Sequence, residues 1–293
     1  MRGNRDHEKA LLTISLLTGL FLLFLSSLAF AENTESTASR HAFQIGLGAA
    51  YFEYDEDSVN VEMDGPMYGI VGSYTYHNKT MMHVGLEYIR GDLNYDGAYV
   101  DYRDFSESVT PDRTDAVDWK VECRWLIGYD YLIRSKHVVT PFLGIGYRYL
   151  NDHLEGSVYD ELVIESSKRE ISYWYSPIGF MTCSPLSDYW TWGLSLEYDL
   201  FWDGKVEGRY AFSVPELDQD SGFGLRFSLR FSRRLADHYA FSIEPFIRYW
   251  DIDQSETEFL VLPESYGDPS PVFGYFEPEN DTTSYGLQIN LVF

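Results

Sequence analysis

The chain has 293 residues, a formal net charge of −24 and 17% aromatic residues, among them 24 Tyr and 7 Trp. So acidic a chain is a poor partner for nucleic acid, and two cysteines are too few for a disulfide-built scaffold. Negative mean hydropathy beside that aromatic load suits strands with one apolar and one wet face, edged by aromatic girdles.

Met1 to Lys9 carry Arg2, Arg5 and Lys9, and Ala10 to Phe30 holds no charged residue. The run closes on Ser26-Ser27-Leu28-Ala29-Phe30-Ala31, an A-x-A pattern. These features predict a signal peptide over residues 1–31, cut after Ala31, and export of a single domain over 32–293. The alternative is an uncleaved anchor, since 21 uncharged residues can span a bilayer. The leader holds three bases and two acids, so its removal takes the net charge from −24 to −25. Beyond Ala31 no run approaches the roughly 20 apolar residues of a spanning helix, so any further crossing is by strands.

The recurring unit is about ten residues of apolar positions alternating with polar or small ones. The first runs from His41 to Tyr54, with Phe43, Ile45, Leu47, Ala49 and Tyr51 on one face. A second, Met67 to Tyr76, turns through His77-Asn78-Lys79-Thr80 into a third that alternates from Met82 until Ile89. The fourth, Trp119 to Tyr131, sets Trp119, Val121, Cys123, Trp125, Ile127 and Tyr129 against Lys120, Glu122, Arg124, Gly128 and Asp130. A short turn leads to the fifth, Val139 to Leu150. The sixth, Ile171 to Cys183, contains Pro177 and a blurred parity, so a bulge or an irregularity is expected in it. The seventh is Trp190 to Phe201, the eighth Phe223 to Phe231, the ninth Tyr239 to Trp250 and the tenth Tyr285 to Phe293. Cys123 and Cys183 fall two strands apart, too far for a disulfide.

An alternating last strand that ends on Phe293 resembles the C-terminal signature of Gram-negative outer-membrane β-barrels, which their assembly machinery recognises. The resemblance implies an all-β fold, a transmembrane antiparallel barrel of about ten strands in the cell outer membrane, among its lipid and lipopolysaccharide. Connections alternate short and long. Short turns belong to the periplasm and long loops to the exterior, so five long loops are expected outside. A soluble barrel would put its polar residues on the outside. The face Phe223-Leu225-Phe227-Leu229-Phe231 speaks against that.

The same alternation turns Glu87, Lys120, Glu122, Arg124, Arg148, Glu197, Arg226, Arg230, Glu244 and Arg248 into the lumen. Unpaired charges in a narrow interior would be costly, so a paired network that fills the barrel is expected, with a narrow pore as the alternative. The negative charge gathers in the outer loops. Nine acids and no Lys or Arg lie between Asp251 and Asp281, and five acids without a base between Asp55 and Gly65. Such a rim can face lipopolysaccharide through divalent cations, or draw in basic ligands. Asp251-Ile252-Asp253-Gln254-Ser255 lacks the Gly and Glu that complete a calcium loop, and the seven His form no spaced ligand set. No metal or cofactor is expected.

Ten strands, five long outer loops and this length also resemble the omptins, outer-membrane endopeptidases with an acidic groove that favour basic substrates. Soft local matches are Trp119-Lys120-Val121 through Trp125-Leu126-Ile127, Tyr175-Ser176-Pro177-Ile178-Gly179, and the closing strand. That family uses two aspartates on one side of its groove and an Asp-His pair on the other to activate a water. Asp92 and Asp96 can stand for the first pair, but the loop after strand seven has no histidine for the second. The leading expectation is therefore a barrel with a structural or surface-interaction role and no catalysis, with an omptin-like endopeptidase as the alternative.

Overall fold

A computed structural model of the protein describes residues 40–56, 58–59, 61–97, 114–133, 136–154, 157–159, 162–164, 167–209, 216–236, 239–261 and 272–293. The expected leader, its cut after Ala31 and residues 98–113 of the connection after the third strand lie outside these residues. Ten long antiparallel strands form the wall. They are β1 (His41–Glu56), β2 (Val61–Asn78), β3 (Thr80–Asp96), β4 (Thr114–Tyr129) and β5 (His137–Leu154), followed by β6 (Ser167–Pro185), β7 (Trp190–Arg209), β8 (Gly222–Ala236), β9 (Tyr239–Ile252) and β10 (Asn280–Val292). Each strand pairs with its sequence neighbours, and β10 pairs with β1, so the sheet closes on itself and leaves no edge. At the seam the Phe43 and Phe293 amides each donate to the other residue's carbonyl, at 2.7 and 2.9 Å, and their rings stack 6.1 Å apart.

Phe43, Ile45, Leu47, Val84, Leu86, Trp125, Ile127, Ile247, Tyr285, Leu287 and Ile289 stand exposed on the outside of the wall. In water such a surface would be untenable for a monomer. In a bilayer it is the lipid face. Cys123 and Cys183 are exposed free thiols on β4 and β6.

The strands run further outward than the alternating segments suggest, because the pattern inverts where the wall leaves the lipid. Along β3, Val84, Leu86 and Tyr88 face out while Glu87 is buried. From Ile89 onward the buried positions are Ile89, Leu93 and Tyr95, and the exposed ones Arg90, Asp92 and Asp96. The same exchange occurs in β1, where Phe52 and Tyr54 turn inward. Below the membrane surface the barrel is apolar outside, and above it apolar inside, as in a water-soluble barrel.

The bulge or irregularity expected in strand six is found by the register on its ladder with β7, in the neighbouring strand. The shift lies in β7, between Phe201 and Asp203, opposite Tyr175 and Trp174 of β6. Pro177 removes one ladder donor but adds no residue, and β6 keeps Ile171, Tyr173, Tyr175 and Pro177 on the buried side. The extra residue in β7 is Trp202, which projects outward and leaves both Phe201 and Gly204 facing in. A side chain at Gly204 would meet the rings of Phe201 and Tyr173, so the bulge needs glycine at that position.

Candidate functional site: the filled lumen and the outer mouth

The interior is layered. Its periplasmic mouth is a cavity of about 290 Å³ bordered by His41, Tyr189, Arg234, Tyr239 and Phe293. Further in, Arg230 Nε donates to Glu244 at 2.6 Å, and Ser228 donates to the same carboxylate at 2.7 Å. Met81, Leu126 and Phe142 form a small apolar group on the β3 to β5 side.

The middle layer is ionic. Arg226 donates through Nε to Asp199 at 2.5 Å and through Nη1 to Glu122 at 2.9 Å. Its Nη2 reaches the Tyr175 hydroxyl at 3.0 Å. Tyr175 in turn donates to Glu122 at 2.8 Å, and Arg124 pairs with Glu197. Arg248 grips Glu87 with both Nη atoms at 2.5 and 2.9 Å, and Lys120 lies 3.4 Å from the same carboxylate. Arg148 sits against the faces of Trp250 and Tyr173, 5.4 and 5.8 Å from the ring centroids. The cavity bounded by Gly48, Glu87, Lys120, Arg248 and Gln288 measures about 10 Å³, about enough for one water.

All ten lumen charges read from the alternation thus lie inside the wall, eight of them in the middle layer and Arg230 with Glu244 nearer the periplasm. Asp199, Tyr175 and Gln288 join them without having been singled out. Asp199 was within reach of the same reasoning, since it shares a face with Glu197 two residues before it. Tyr175 was hidden by the blurred parity around Pro177.

Above the ions lies an apolar plug. Phe52, Tyr54, Met63, Leu93, Tyr95, Ile171, Tyr173, Tyr175, Phe201, Val206, Trp250 and Ile252 form one buried cluster. Tyr175 and Trp250 meet edge to face at 5.0 Å, and Tyr173 meets Phe201 likewise at 5.3 Å. Tyr175 therefore belongs to both layers, its ring to the plug and its hydroxyl to the ions.

The outermost layer centres on Arg169 of β6. Its Nη1 donates to Glu56 at 2.6 Å, to Glu277 at 2.9 Å and to the Tyr54 hydroxyl at 3.2 Å, and its Nη2 lies 3.1 Å from Asp152. One guanidinium thus ties β1, β5 and β6 to the segment that precedes β10. That segment is also held by Ser255 and Glu277, whose amides donate to the Glu277 carbonyl and the Ser255 hydroxyl at 3.0 and 2.8 Å. None of this was visible in the alternating pattern, because these residues lie beyond the lipid.

Glu277, in the outer connection, has its carboxyl pushed up from 4.5 to about 7. Burial raises it, Arg169 draws it down, and Glu56 and Asp152 push it up again. Because the folded value lies above the unfolded one, the folded loop holds the extra proton between those two values. Its attachment is strongest below the window and weakens as pH rises through about 7. Amide exchange at Phe276, Glu277 and Glu279, corrected for intrinsic rates, should quicken from about pH 5 to about pH 8, and Glu277→Gln should flatten that dependence. A pH-independent wild-type profile would contradict the assignment.

Asp92 and Asp96 are not brought to the lumen. Both are exposed on the outside of β3, alternating with buried Leu93 and Tyr95. At the rim Asp251, Asp253 and Glu279 place carboxylate oxygens within 4.8 Å of one another, with Asp253 and Glu279 exposed.

A search of characterised proteins by sequence finds no match. Among solved structures, the chain is similar to the outer membrane protease OmpT from Escherichia coli, with 9% identity, 89% of this chain and 99% of that chain covered, and a TM-score of 0.62. That likeness is one of fold alone. The translocator domain of the autotransporter NalP from Neisseria meningitidis also matches, at 9% identity over 97% of both chains, with a TM-score of 0.41. The family model described as the outer membrane protein beta-barrel domain matches residues 18–262. With its closed wall of ten strands and lipid-facing apolar band, the chain belongs to the outer-membrane β-barrel family.

Proposed function

We propose that this protein is a sealed, non-catalytic outer-membrane barrel that acts through its acidic outer surface, contacting lipopolysaccharide, divalent cations or basic ligands outside the cell. The observation that carries this reading is the filled interior. A side-chain ion network and an aromatic plug occupy the space that a pore or a substrate groove would need. The weak omptin-like candidates Asp92 and Asp96 face away from that interior. The outer connections carry the charge, including exposed Asp253, Glu256, Glu258 and Glu279. Insertion of strands into the outer membrane is assigned to the barrel assembly machinery, with the strand that ends at Phe293 as its signal.

Two measurements test the proposal. Purified protein in planar bilayers should give no large, stable conductance steps, and intact cells that display it should bind polycations with an affinity that falls steeply as salt rises. Large stable steps would replace this reading with a pore. Cleavage of a dibasic peptide by the purified protein, lost in Asp92→Ala, would replace it with a peptidase.

A further inference from the structure

Within the last outer connection, Glu258–Val261 and Val272–Tyr275 pair antiparallel as a separate two-stranded sheet. Among the described residues neither strand pairs with a third strand. A lone hairpin is marginal in water. This one stands on a fixed base, however. Tyr275 packs on the aromatic plug, Ser255 and Glu277 bond to each other, and Glu277 is gripped by Arg169.

One face of the hairpin is apolar and bare. Phe259 lies opposite Gly274 and Val261 opposite Val272, and Phe259, Val261 and Val272 are 72%, 61% and 58% exposed. These residues belong to the connection between the outer ends of β9 and β10, which Arg169 holds through Glu277, and not to the membrane-spanning wall. Along the chain the neighbours of the hairpin have one sign. Asp253, Glu256, Glu258 and Glu279 are exposed close by in the chain, and no Lys, Arg or His occurs from Tyr249 to Phe293.

We infer that this hairpin is a docking platform for an extended segment of another polypeptide, one in which apolar residues alternate with Lys or Arg. The inference rests on the surface-interaction reading above and narrows it to a place and a ligand class. A strand added beside Glu258–Val261 would extend this sheet through backbone hydrogen bonds. Its apolar side chains would fall on one face, beside Phe259, Val261 and Val272, and its basic side chains would meet the acidic surroundings. A second copy of this chain is a poor occupant, because its own hairpin carries the same negative charge. The fixed base lowers the ordering penalty of binding.

The test uses the full-length protein in nanodiscs of zwitterionic lipid, with empty nanodiscs subtracted. The probes are a labelled twelve-residue peptide of alternating Leu and Lys and an oligolysine of equal charge. The alternating peptide should bind about tenfold more tightly or better. In Phe259→Ser/Val272→Ser that advantage should vanish, while oligolysine binding stays as it was. Both changed side chains are exposed, so folding should be unaffected. Equal affinity of the two probes for the wild type, or an advantage that persists in the double variant, would overturn the inference and leave the broader reading standing. Binding of neither probe would overturn both. Self-association abolished by the double variant would assign the face to a second copy instead.

Discussion

Replacing Arg226 with Met should destabilise the barrel by about 3–5 kcal/mol, the effect of removing one partner from a buried ionic group. Arg226 is buried and touches Asp199, Glu122 and the Tyr175 hydroxyl, with Glu197 3.3 Å from its Nε. Its loss would leave three carboxylates with much less positive charge, in a layer where the neighbouring cavity has room for about one water. Arg226→Lys should fall between, since an ammonium keeps the charge but cannot span Asp199 and Glu122 together. The triple change Arg226→Met/Glu122→Gln/Asp199→Asn should recover a large part of the loss, because the stranded charges go with their partner. Urea unfolding in lipid vesicles, read by heat-modifiable mobility on gels, measures all three. If Arg226→Met matches the wild type, the layer is far better hydrated than its packing implies.

The sequence made the lipid-facing part of this fold legible and left the rest hidden, for one physical reason. Within the bilayer the outside of a strand must be apolar, so Phe43-Ile45-Leu47 or Val84-Leu86 writes a period of two that can be read directly. Above the bilayer the strands continue, but apolar side chains turn inward and polar ones outward. Asp92-Leu93-Asn94-Tyr95-Asp96 still alternates, only with its faces exchanged. Read with a fixed phase, that segment looks like a loop, and so do the outer ends of β6 and β7. The plug residues Leu93, Tyr95 and Val206 and the Arg169 layer therefore lie outside the segments that the alternation marks. Asp92 and Asp96 belong to the same exchanged segment, and on a strand of this phase they point away from the axis. The ionic layer was legible because it lies at lipid depth, where any charge on a strand has only the lumen to face. Its pairings were not, because Glu122 of β4 and Arg226 of β8, like Glu87 of β3 and Arg248 of β9, meet across the barrel and share no ladder.

The double change Tyr175→Ala/Trp250→Ala should open ion conduction through a barrel that remains closed as a sheet. Among the described residues the plug is built mainly of wall side chains, so truncating them removes volume from the axis while the strand ladders stay intact. Trp250 packs against Tyr173 and Tyr175 and covers Arg148, and each truncation of this kind costs about 3–5 kcal/mol where the site cannot collapse. A closed wall limits collapse, so water should enter the space. Water above the ionic layer would weaken its pairings, since charge pairs lose most of their strength in high dielectric. Tyr175→Phe separates the two roles of that residue. It keeps the ring on Trp250 but removes the hydroxyl that links Glu122 and Arg226, so it should cost roughly 1–3 kcal/mol and open nothing. If the double variant stays folded by gel mobility yet gives no conductance above the wild type, the seal lies in the ionic layer alone. The aromatic cluster would then serve only to hold the outer strands together.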